Sequence, residues 1–265
     1  MIVSSHNKNG LVNFLKHLGY HHNGFTIGYT KEIQYRWSFY LPIDKSISDI
    51  MLNMDKRCRR SLKKAQKYPL ITKEVNSQNI KEFKKIMEHT CKRHNCFDRT
   101  ISYYQKIKEV FNDKALLLIV YLDKEQYLTY FKEDKLYDKI KAETEKLIPL
   151  SAGVFIYDKY YMHYVYGGTY KEYMPFMAQY KLQFDMIKYA KTKKLPLYDF
   201  GGISGNFVLG SKDYGVYEFK RGFGGNVIEY IGEFDFVVNR LFYYIYYVTF
   251  NIYRNLKKIV VAIKR

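Results

Sequence analysis

Two neighbouring strand-like segments constrain the fold of this chain more than any other feature. Ile148–Tyr157 and Tyr160–Tyr166 are rich in aromatic and β-branched residues, and only Asp158-Lys159 separates them, which predicts a β-hairpin. The continuous apolar segment Ala115–Tyr121 predicts a strand that is buried on both faces. Because helical patterns alternate with these and further strands, we predict an α/β (α+β) fold with a mixed, partly antiparallel sheet.

The remaining elements follow from periodicity and turn residues. Apolar residues at steps of three and four predict one helix from Ile47 through Ala65, capped by Ser46. The balanced charges of Asp123–Lys146 indicate an exposed helical insertion outside the core. Strands are expected at Arg36–Leu41 and Leu195–Phe200, and a helix at Tyr173–Lys191. Glycine-rich turns are expected to end two strands, at Gly167-Gly168 and Gly201–Gly205.

The charge balance favours an anionic partner. The chain of 265 residues has 44 Lys and Arg against 26 Asp and Glu, which is a net charge of +18, and this excess suits nucleic acid, a phosphorylated substrate or an anionic membrane surface. Three cysteines form no disulfide framework and indicate a reducing compartment. The amino-terminal residues lack the apolar core of a signal peptide, and no apolar segment is long enough to span a bilayer. We therefore predict a cytoplasmic protein.

One helix concentrates the positive charge. Off its apolar stripe lie seven cations and no acid: Lys56, Arg57, Arg59, Arg60, Lys63, Lys64 and Lys67. Such a face repels itself unless an anion binds there. A phosphate-binding helix and a solvated basic face both remain open.

The carboxyl-terminal segment has a related composition. Phe236–Arg265 carries six cations and no acid, and an aromatic run opens it. This composition predicts a helix suited to a membrane interface or to nucleic acid. The alternative is that its aromatic part packs back onto the fold.

A candidate reaction centre lies within Tyr214–Asp235. Phe219, Lys220 and Arg221 precede three glycines, at Gly222, Gly224 and Gly225. A lysine at such a bend can stabilise developing negative charge in acyl transfer, and the alternative is a strand with a surface lysine. No nucleophile triad or metal-ligand spacing is present in the sequence. We therefore predict positioning and electrostatic catalysis on an activated substrate, with no metal site.

These last motifs resemble a known family. YDFGGISG (198–205) and YEFKRGFGGNVIEYIGEFD (217–235) are similar to the carboxyl-terminal signature of the FemABX family. LGYHHNGFTIGY (18–29), QYRWSFYLPID (34–44) and RRSLKKAQK (59–67) resemble its FemA/MurM-like branch in the same order. The family consists of aminoacyl-tRNA-dependent peptidyltransferases of cell-wall synthesis.

The resemblance implies GNAT-like domains that transfer an amino acid from aminoacyl-tRNA to the peptide of a peptidoglycan precursor, often lipid-linked. Aminoacyl-tRNA is then the co-substrate, with no other cofactor, and the enzyme works peripherally at the inner face of the membrane. Phe219 and Lys220 correspond to the functional pair, and Lys220 stabilises the oxyanion. Further substrate contacts are expected at Tyr170, Lys171, Arg221, Gly201, Gly202 and Gly205. The basic helix is expected to bind tRNA or precursor phosphate through Arg57, Arg59, Arg60, Lys63 and Lys64.

The same resemblance predicts the domain organisation. Residues 1–36 are a remnant of a first GNAT-like domain, 37–240 form the second, with its short insertion at 123–146, and 241–265 form a basic aromatic helix. Two other functions stay open. One is an inactive, truncated paralogue that binds tRNA or the membrane, and the other is a CoA-dependent GNAT acyltransferase, for which Gly201–Gly205 lacks the pyrophosphate-loop pattern.

Overall fold

The computed structural model describes residues 8–29, 34–94 and 96–263. The parts of the predicted segments 1–36 and 241–265 that fall on residues 1–7, 30–33, 264 and 265 lie outside the described residues.

Strands and helices alternate along the chain. The strands are β1 (Tyr20–His22), β2 (Trp37–Pro42), β3 (Leu70–Glu74), β4 (Ala115–Asp123), β5 (Leu147–Tyr157), β6 (Tyr161–Thr169), β7 (Leu197–Ile203), β8 (Asn226–Glu229) and β9 (Phe234–Phe236). The α-helices are α1 (Lys8–His17), α2 (Ile47–Asn53), α3 (Lys56–Lys67), α4 (Ile80–His94), α5 (Ile101–Phe111), α6 (Lys124–Tyr130), α7 (Tyr137–Ala142), α8 (Ala178–Thr192), α9 (Tyr214–Arg221) and α10 (Arg240–Ile263). Two 3-10 helices cover Asn112–Lys114 and Lys171–Phe176.

The chain divides into two compact units. The larger unit contains Ser38–Gly201 and Lys212–Val227, and the smaller contains Met1–Trp37, Gly202–Ser211 and Ile228–Arg265. The boundaries expected from the sequence, 1–36, 37–240 and 241–265, stay predictions. Within the smaller unit, β1 pairs with β9 in an antiparallel two-stranded sheet.

A mixed sheet organises the larger unit. Its strand order is β3-β4-β5-β6-β7-β2-β8. β3 through β6 are antiparallel neighbours, and β6 and β7 are parallel. The predicted hairpin is confirmed as β5 and β6, and the predicted α/β class with a partly antiparallel sheet is confirmed.

Helices cover both faces of this sheet. On one face, Phe83 and Ile86 of α4 and Tyr104 of α5 pack against Leu117 and Ile119 of β4. On the other face, Leu182 of α8 lies against Gly153 of β5, where a Cβ would come within 3.1 Å of its methyl group. Both faces of β4 are therefore buried, as its continuous apolar sequence predicts.

The prediction of one helix across 47–65 is wrong, because two caps compete with the continuous apolar stripe. The Asp55 carboxylate accepts a hydrogen bond from the Cys58 N–H at 2.6 Å and begins α3. The Arg59 guanidinium donates to the carbonyls of Leu52 and Met54 and ends α2. Side-chain hydrogen bonds to terminal backbone groups are the usual way in which helix ends are satisfied.

Two predicted strand ends are also wrong. Gly167 and Gly168 do not end the hairpin, since they lie inside β6 opposite Gly153 and Ala152. The Tyr164 hydroxyl occupies the space where a Cβ of Gly167 would lie, so this glycine serves close packing within the strand. Gly201 and Gly202 likewise continue β7, which ends at Ile203.

The insertion 123–146 forms α6 and α7, but the prediction that it lies outside the core is wrong. Tyr127 and Ile140 are fully buried. The Tyr127 ring stacks on Phe131 at 5.4 Å and meets Phe176 edge-on at 5.5 Å. The weak apolar stripe of this segment is thus sufficient to bury one side chain from each short helix, Tyr127 from α6 and Ile140 from α7.

The predicted helix Tyr173–Lys191 is shorter than expected. A 3-10 helix containing Pro175 precedes α8, and Met177 between them has a left-handed φ of 56°. Proline has no N–H to donate to a continuing helix. The predicted carboxyl-terminal helix is observed as α10. Among the described helices, none has the length and hydropathy needed to cross a membrane.

Gly225, which follows α9, packs closely against the backbone of β2, and this contact can be tested by substitution. A Cβ on Gly225 would lie 2.3 Å from the Tyr40 carbonyl oxygen, whereas a Cβ on Gly215 in α9 would meet nothing within 4 Å. We expect Gly225→Ala to lower the free energy of unfolding by about 2 kcal/mol, because backbone cannot yield as a side chain can. Gly215→Ala should leave it unchanged or raise it by up to about 1 kcal/mol. Urea denaturation measures both, and equal effects of the two variants would contradict this packing.

Candidate active site

The parallel strands β6 and β7 separate at the centre of the larger unit. They pair at three positions, Tyr161–Leu197, Met162–Tyr198 and His163–Asp199. Both strands continue beyond this point, β6 to Thr169 and β7 to Ile203. The carboxyl ends of neighbouring parallel strands are a common place for ligands in α/β sheets. Asp199 marks the position where this opening begins.

The Asp199 carboxylate is buried and accepts hydrogen bonds from three directions. One oxygen accepts from the Ser38 hydroxyl of β2 at 2.7 Å and from the Gly201 N–H at 2.8 Å. The other lies 3.1 Å from His163 Nδ1 of β6. Since a carboxylate only accepts, His163 donates from Nδ1. This bond, together with the nearby Asp158 carboxylate, raises the pKa of the His163 imidazole.

Lys220 is the second charged group buried here. Its side chain is 6% exposed, and burial lowers the pKa of its ammonium to about 7, against the opposing attraction of the Asp199 carboxylate. A lysine in this range exchanges its proton near neutral pH. Perturbed titratable groups of this kind concentrate at functional sites, although structural ion pairs produce them as well.

The helix α9 places Lys220 and Phe219 on different sides. The Phe219 ring meets Tyr180 of α8 at 5.0 Å and Phe223 at 5.5 Å, while Lys220 is the buried residue of the helix. The alternative of a strand with a surface lysine is therefore wrong. Arg221, the next residue, is exposed, and its guanidinium lies 5.7 Å from the Tyr217 ring.

A small cleft of about 130 Å³ opens beside Phe219. It lies between the start of α3 and α9, and Asp55, Arg57, Tyr180 and Glu218 contribute to its walls. Arg57 pairs with Glu218 at 2.7 Å. Cys58 also lines it, but burial raises the pKa of this thiol to about 12, so it is a poor nucleophile.

The predicted basic helix corresponds to α3, and its cations differ in their surroundings. Arg57 faces the cleft, and Arg59 binds the end of α2. Arg60, Lys63 and Lys64 are exposed along the helix. Three of the five predicted residues therefore present their charge to solvent.

Tyr170 and Lys171 lie apart from Lys220 in their contacts. Tyr170 packs edge-on against His89 of α4 at 5.0 Å, and Glu172 also faces His89. Lys171 is exposed at the start of its 3-10 helix. Tyr170 thus contacts α4, whereas Phe219 contacts α8.

The three predicted glycines have distinct environments. Gly201 donates to Asp199 in the larger unit. In the smaller unit, a Cβ on Gly202 would lie 2.4 Å from the Tyr35 ring, and a Cβ on Gly205, at φ +72°, would lie 2.3 Å from the Trp37 indole nitrogen. Their absent side chains thus permit close approach of aromatic rings.

Sequence reasoning missed Asp199, His163 and Ser38. Each stands in a strand whose neighbours are apolar, and a buried acid or imidazole there requires hydrogen-bond partners. That signal identifies the residues but not their partners, because the partners lie on three different strands. In the described part of the chain, no three His, Cys, Asp or Glu side chains are grouped to hold a metal ion.

Comparison with known proteins identifies the family. The FemAB family profile matches residues 1–147 and 131–249. The chain belongs to the FemAB family. It is 29% identical over 288 aligned residues to the aminoacyltransferase FemA of Staphylococcus epidermidis, covering 92% of this chain and 67% of that protein. It is 26% identical to FemA of Staphylococcus aureus, covering 88% of this chain and 66% of that protein.

This FemAB-family chain also shares its fold with a solved structure. FemX superposes with a TM-score of 0.76 at 24% identity, covering 92% of this chain and 72% of FemX. The predicted family is therefore confirmed, and so is the classification as an aminoacyltransferase. The chain spans about two thirds of the length of its FemA relatives.

The charge state of Lys220 can be measured directly. In protein labelled with ¹³C at lysine Cε, we expect one signal to titrate near pH 7 and to be missing from Lys220→Met. Asp199→Asn should lower this pKa further, because the carboxylate favours the charged ammonium. A Lys220 signal that titrates near its ordinary value of about 10.4 would contradict the burial described here.

Folding stability supplies an independent readout. Between about pH 7 and 10, the unfolded chain keeps the Lys220 proton that the folded chain has lost, so the free energy of unfolding rises with pH. Relative to Lys220→Met, the wild-type protein should gain about 2 kcal/mol between pH 7 and pH 9. A difference that stays constant with pH would show that the ammonium does not titrate on folding.

Proposed function

We propose that this chain transfers an amino acid from aminoacyl-tRNA to an amino group in the peptide of a lipid-linked peptidoglycan precursor. Family membership and the aminoacyltransferase relatives support the reaction class. The observation that carries the proposal is the buried Lys220, whose ammonium is attracted by the carboxylate of Asp199, the residue at which the pairing of β6 with β7 ends. The donor amino acid and the acceptor position are left open.

The proposed reaction requires no covalent intermediate on the protein. The acceptor amine attacks the ester carbonyl of aminoacyl-tRNA, and the carbonyl oxygen becomes negative. The ester C–O bond then breaks, the amide forms, and the proton lost by the amine ends on the ribose oxygen. An ester is already activated, so positioning and oxyanion stabilisation can supply most of the rate. No nucleophile, metal or further cofactor enters this scheme.

Lys220 is proposed to stabilise the oxyanion in its protonated form. Negative charge on the substrate favours the ammonium, as Asp199 already does. Phe219, held between Tyr180 and Phe223, fixes the end of α9 and walls the cleft. Phe219 thus orients the segment that presents Lys220 and Arg221.

Anionic substrates are assigned to separate surfaces. Arg60, Lys63 and Lys64 are proposed to contact tRNA phosphates, since exposed cations on one helix face suit a polyanion. Arg57 borders the cleft and is proposed to contact substrate there. Lys171, with Tyr170, is proposed to bind precursor phosphate, and Gly201, Gly202 and Gly205 to allow close approach of substrate. The membrane surface that holds a lipid-linked acceptor is the third anionic partner.

Lys220→Ala tests the catalytic assignment. With total tRNA charged with radiolabelled amino acids and a lipid-linked muropeptide, we expect the transfer rate to fall about 10²- to 10³-fold, the usual effect of removing one oxyanion partner. Lys106→Ala, an exposed lysine of α5, serves as the matched control and should keep its rate. Transfer by Lys220→Ala at the wild-type rate would reject the assignment. Transfer from acyl-CoA instead of tRNA would favour the CoA-dependent alternative.

The pH dependence separates an ammonium from a general base. Lysine loses its proton near pH 7 in this site, whereas arginine keeps its own. If the cation acts, the rate of Lys220→Arg relative to wild type should rise as pH increases from 6.5 to 8.5. A Lys220→Arg rate that stays near zero relative to wild type at every pH would indicate instead that neutral Lys220 accepts a proton.

Charge removal on α3 tests tRNA binding. We expect Arg60→Ala/Lys63→Ala/Lys64→Ala to weaken tRNA binding and to reduce the slope of log affinity against log salt by about 2. Lys81→Ala/Lys85→Ala/Lys92→Ala removes the same charge from exposed positions on α4 and controls for net charge. Filter binding across a salt series measures both, and equal losses for the two triple variants would contradict a specific α3 surface.

A further inference from the structure

The helix α10 leaves an apolar face exposed. Five aliphatic residues recur at steps of three and four, which places them on one side of the helix: Leu241, Ile245, Val248, Ile252 and Leu256. These side chains, here called the aliphatic stripe, are 37% to 66% exposed. A continuous exposed apolar row of this length marks an interaction surface more often than a solvent-facing helix.

One flank of the aliphatic stripe carries polar and tyrosine side chains. Arg240, Tyr244, Tyr247 and Asn251 lie there by the same periodicity. The sequence from Phe236 to Arg265 contains six Lys and Arg and no Asp or Glu. The helix therefore combines an apolar face with an entirely positive charge.

Local contacts fix where this helix begins. The Asn239 side chain accepts hydrogen bonds from the Leu241 and Phe242 N–H groups at 3.0 and 3.1 Å. The Tyr243 hydroxyl donates to the Asp235 carboxylate at 2.8 Å. These bonds use the first turn and the residues before it, and they leave the aliphatic stripe outward.

We propose that α10 lies in the interface of an anionic lipid bilayer, with the aliphatic stripe at the boundary of the acyl chains. Lys and Arg then meet lipid phosphates, and the helical tyrosines lie at the depth of the headgroups. This inference rests on the proposed function for its biological setting, since it specifies how the chain contacts the membrane that carries its acceptor.

Charge complementarity selects this occupant over two others. A second copy of the chain would bring the six cations of its own carboxyl-terminal segment to the same surface, and like charges oppose that pairing. A nucleic acid would satisfy the cations but leave the aliphatic stripe in water. An anionic bilayer is complementary to the aliphatic stripe and to the positive charge at once.

Vesicle co-sedimentation of the full chain tests the proposal. We expect binding to vesicles that contain phosphatidylglycerol, weaker binding to phosphatidylcholine alone, and weakening by salt. Ile245→Asn/Ile252→Asn should reduce binding to phosphatidylglycerol vesicles by about tenfold or more, because two apolar side chains leave the interface. Leu52→Asn/Val110→Asn removes two exposed aliphatic side chains from α2 and α5 instead and should bind within about threefold of wild type.

Three results would overturn the proposal. They are no binding of wild type to phosphatidylglycerol vesicles, equal losses in the two double variants, or a dimer in analytical ultracentrifugation that only the stripe variant dissociates. Circular dichroism and thermal denaturation confirm that both variants are folded to the same extent.

Transfer assays separate this proposal from the catalytic one. Ile245→Asn/Ile252→Asn should keep transfer to a soluble muropeptide and lose it to acceptor embedded in vesicles. Lys220→Ala should lose both transfers and keep vesicle binding. Vesicle binding without transfer by wild type would reject the proposed reaction alone, and transfer to embedded acceptor without vesicle binding would reject the role of α10 alone.

Discussion

The structure of the larger unit depends on the Asp199 carboxylate. Burying an ionised carboxylate is costly unless donors surround it. Asp199 receives them from β2, β6 and its own strand, through Ser38, His163 and the Gly201 N–H. Each donor satisfies one lone pair and also ties one strand to the point where β6 and β7 separate. The opening in the sheet is thus held in place by the same group that opposes the loss of the Lys220 proton.

A buried lysine beside this carboxylate changes what the site can do. Without Asp199, burial would favour neutral Lys220 more strongly, and with a fully solvated partner the lysine would stay charged. A pKa of about 7 leaves Lys220 near half protonation at neutral pH, where a new negative charge changes its protonation most. An ester carbonyl that becomes an oxyanion is such a charge. The lowered pKa of Lys220 agrees with the electrostatic role that we propose for it. Transfer from an ester needs no nucleophile from the protein.

The fold was predictable where one local rule decided it. The hairpin β5–β6, the buried strand β4 and the basic face of α3 follow from alternation, apolar continuity and charge alone. Prediction failed where two rules competed. The apolar stripe runs on through Met54, but the cap at Asp55 ends one helix and begins another. Gly167 suggests a turn from the sequence, yet it lies within a strand. A glycine is required there because the Tyr164 hydroxyl occupies the position of a Cβ.

The site was predictable only in part, for a geometric reason. Lys220 could be singled out from its motif, but whether it was buried depended on whether that segment formed a strand or a helix. Asp199 and His163 are 36 residues apart, and strand pairing across the sheet brings them together. No local pattern encodes such a contact, although an acid inside LYDFGGI is itself a sign that partners exist elsewhere.

The charges of this chain fall into a buried group and an exposed group, and the two groups have different requirements. Buried charge in the larger unit is balanced, since Lys220 has the Asp199 carboxylate nearby. Thirteen of the 44 Lys and Arg lie instead on α3, which carries seven, and in the carboxyl-terminal segment 236–265, which carries six, and no acid interrupts either run. Charge at the reaction centre must be balanced to be buried, whereas charge that recruits polyanions must be unbalanced and exposed to act over a Debye length of about 8 Å. The reaction that we propose, with one substrate on tRNA and the other on a membrane, needs both kinds of charge, and they cannot be the same residues.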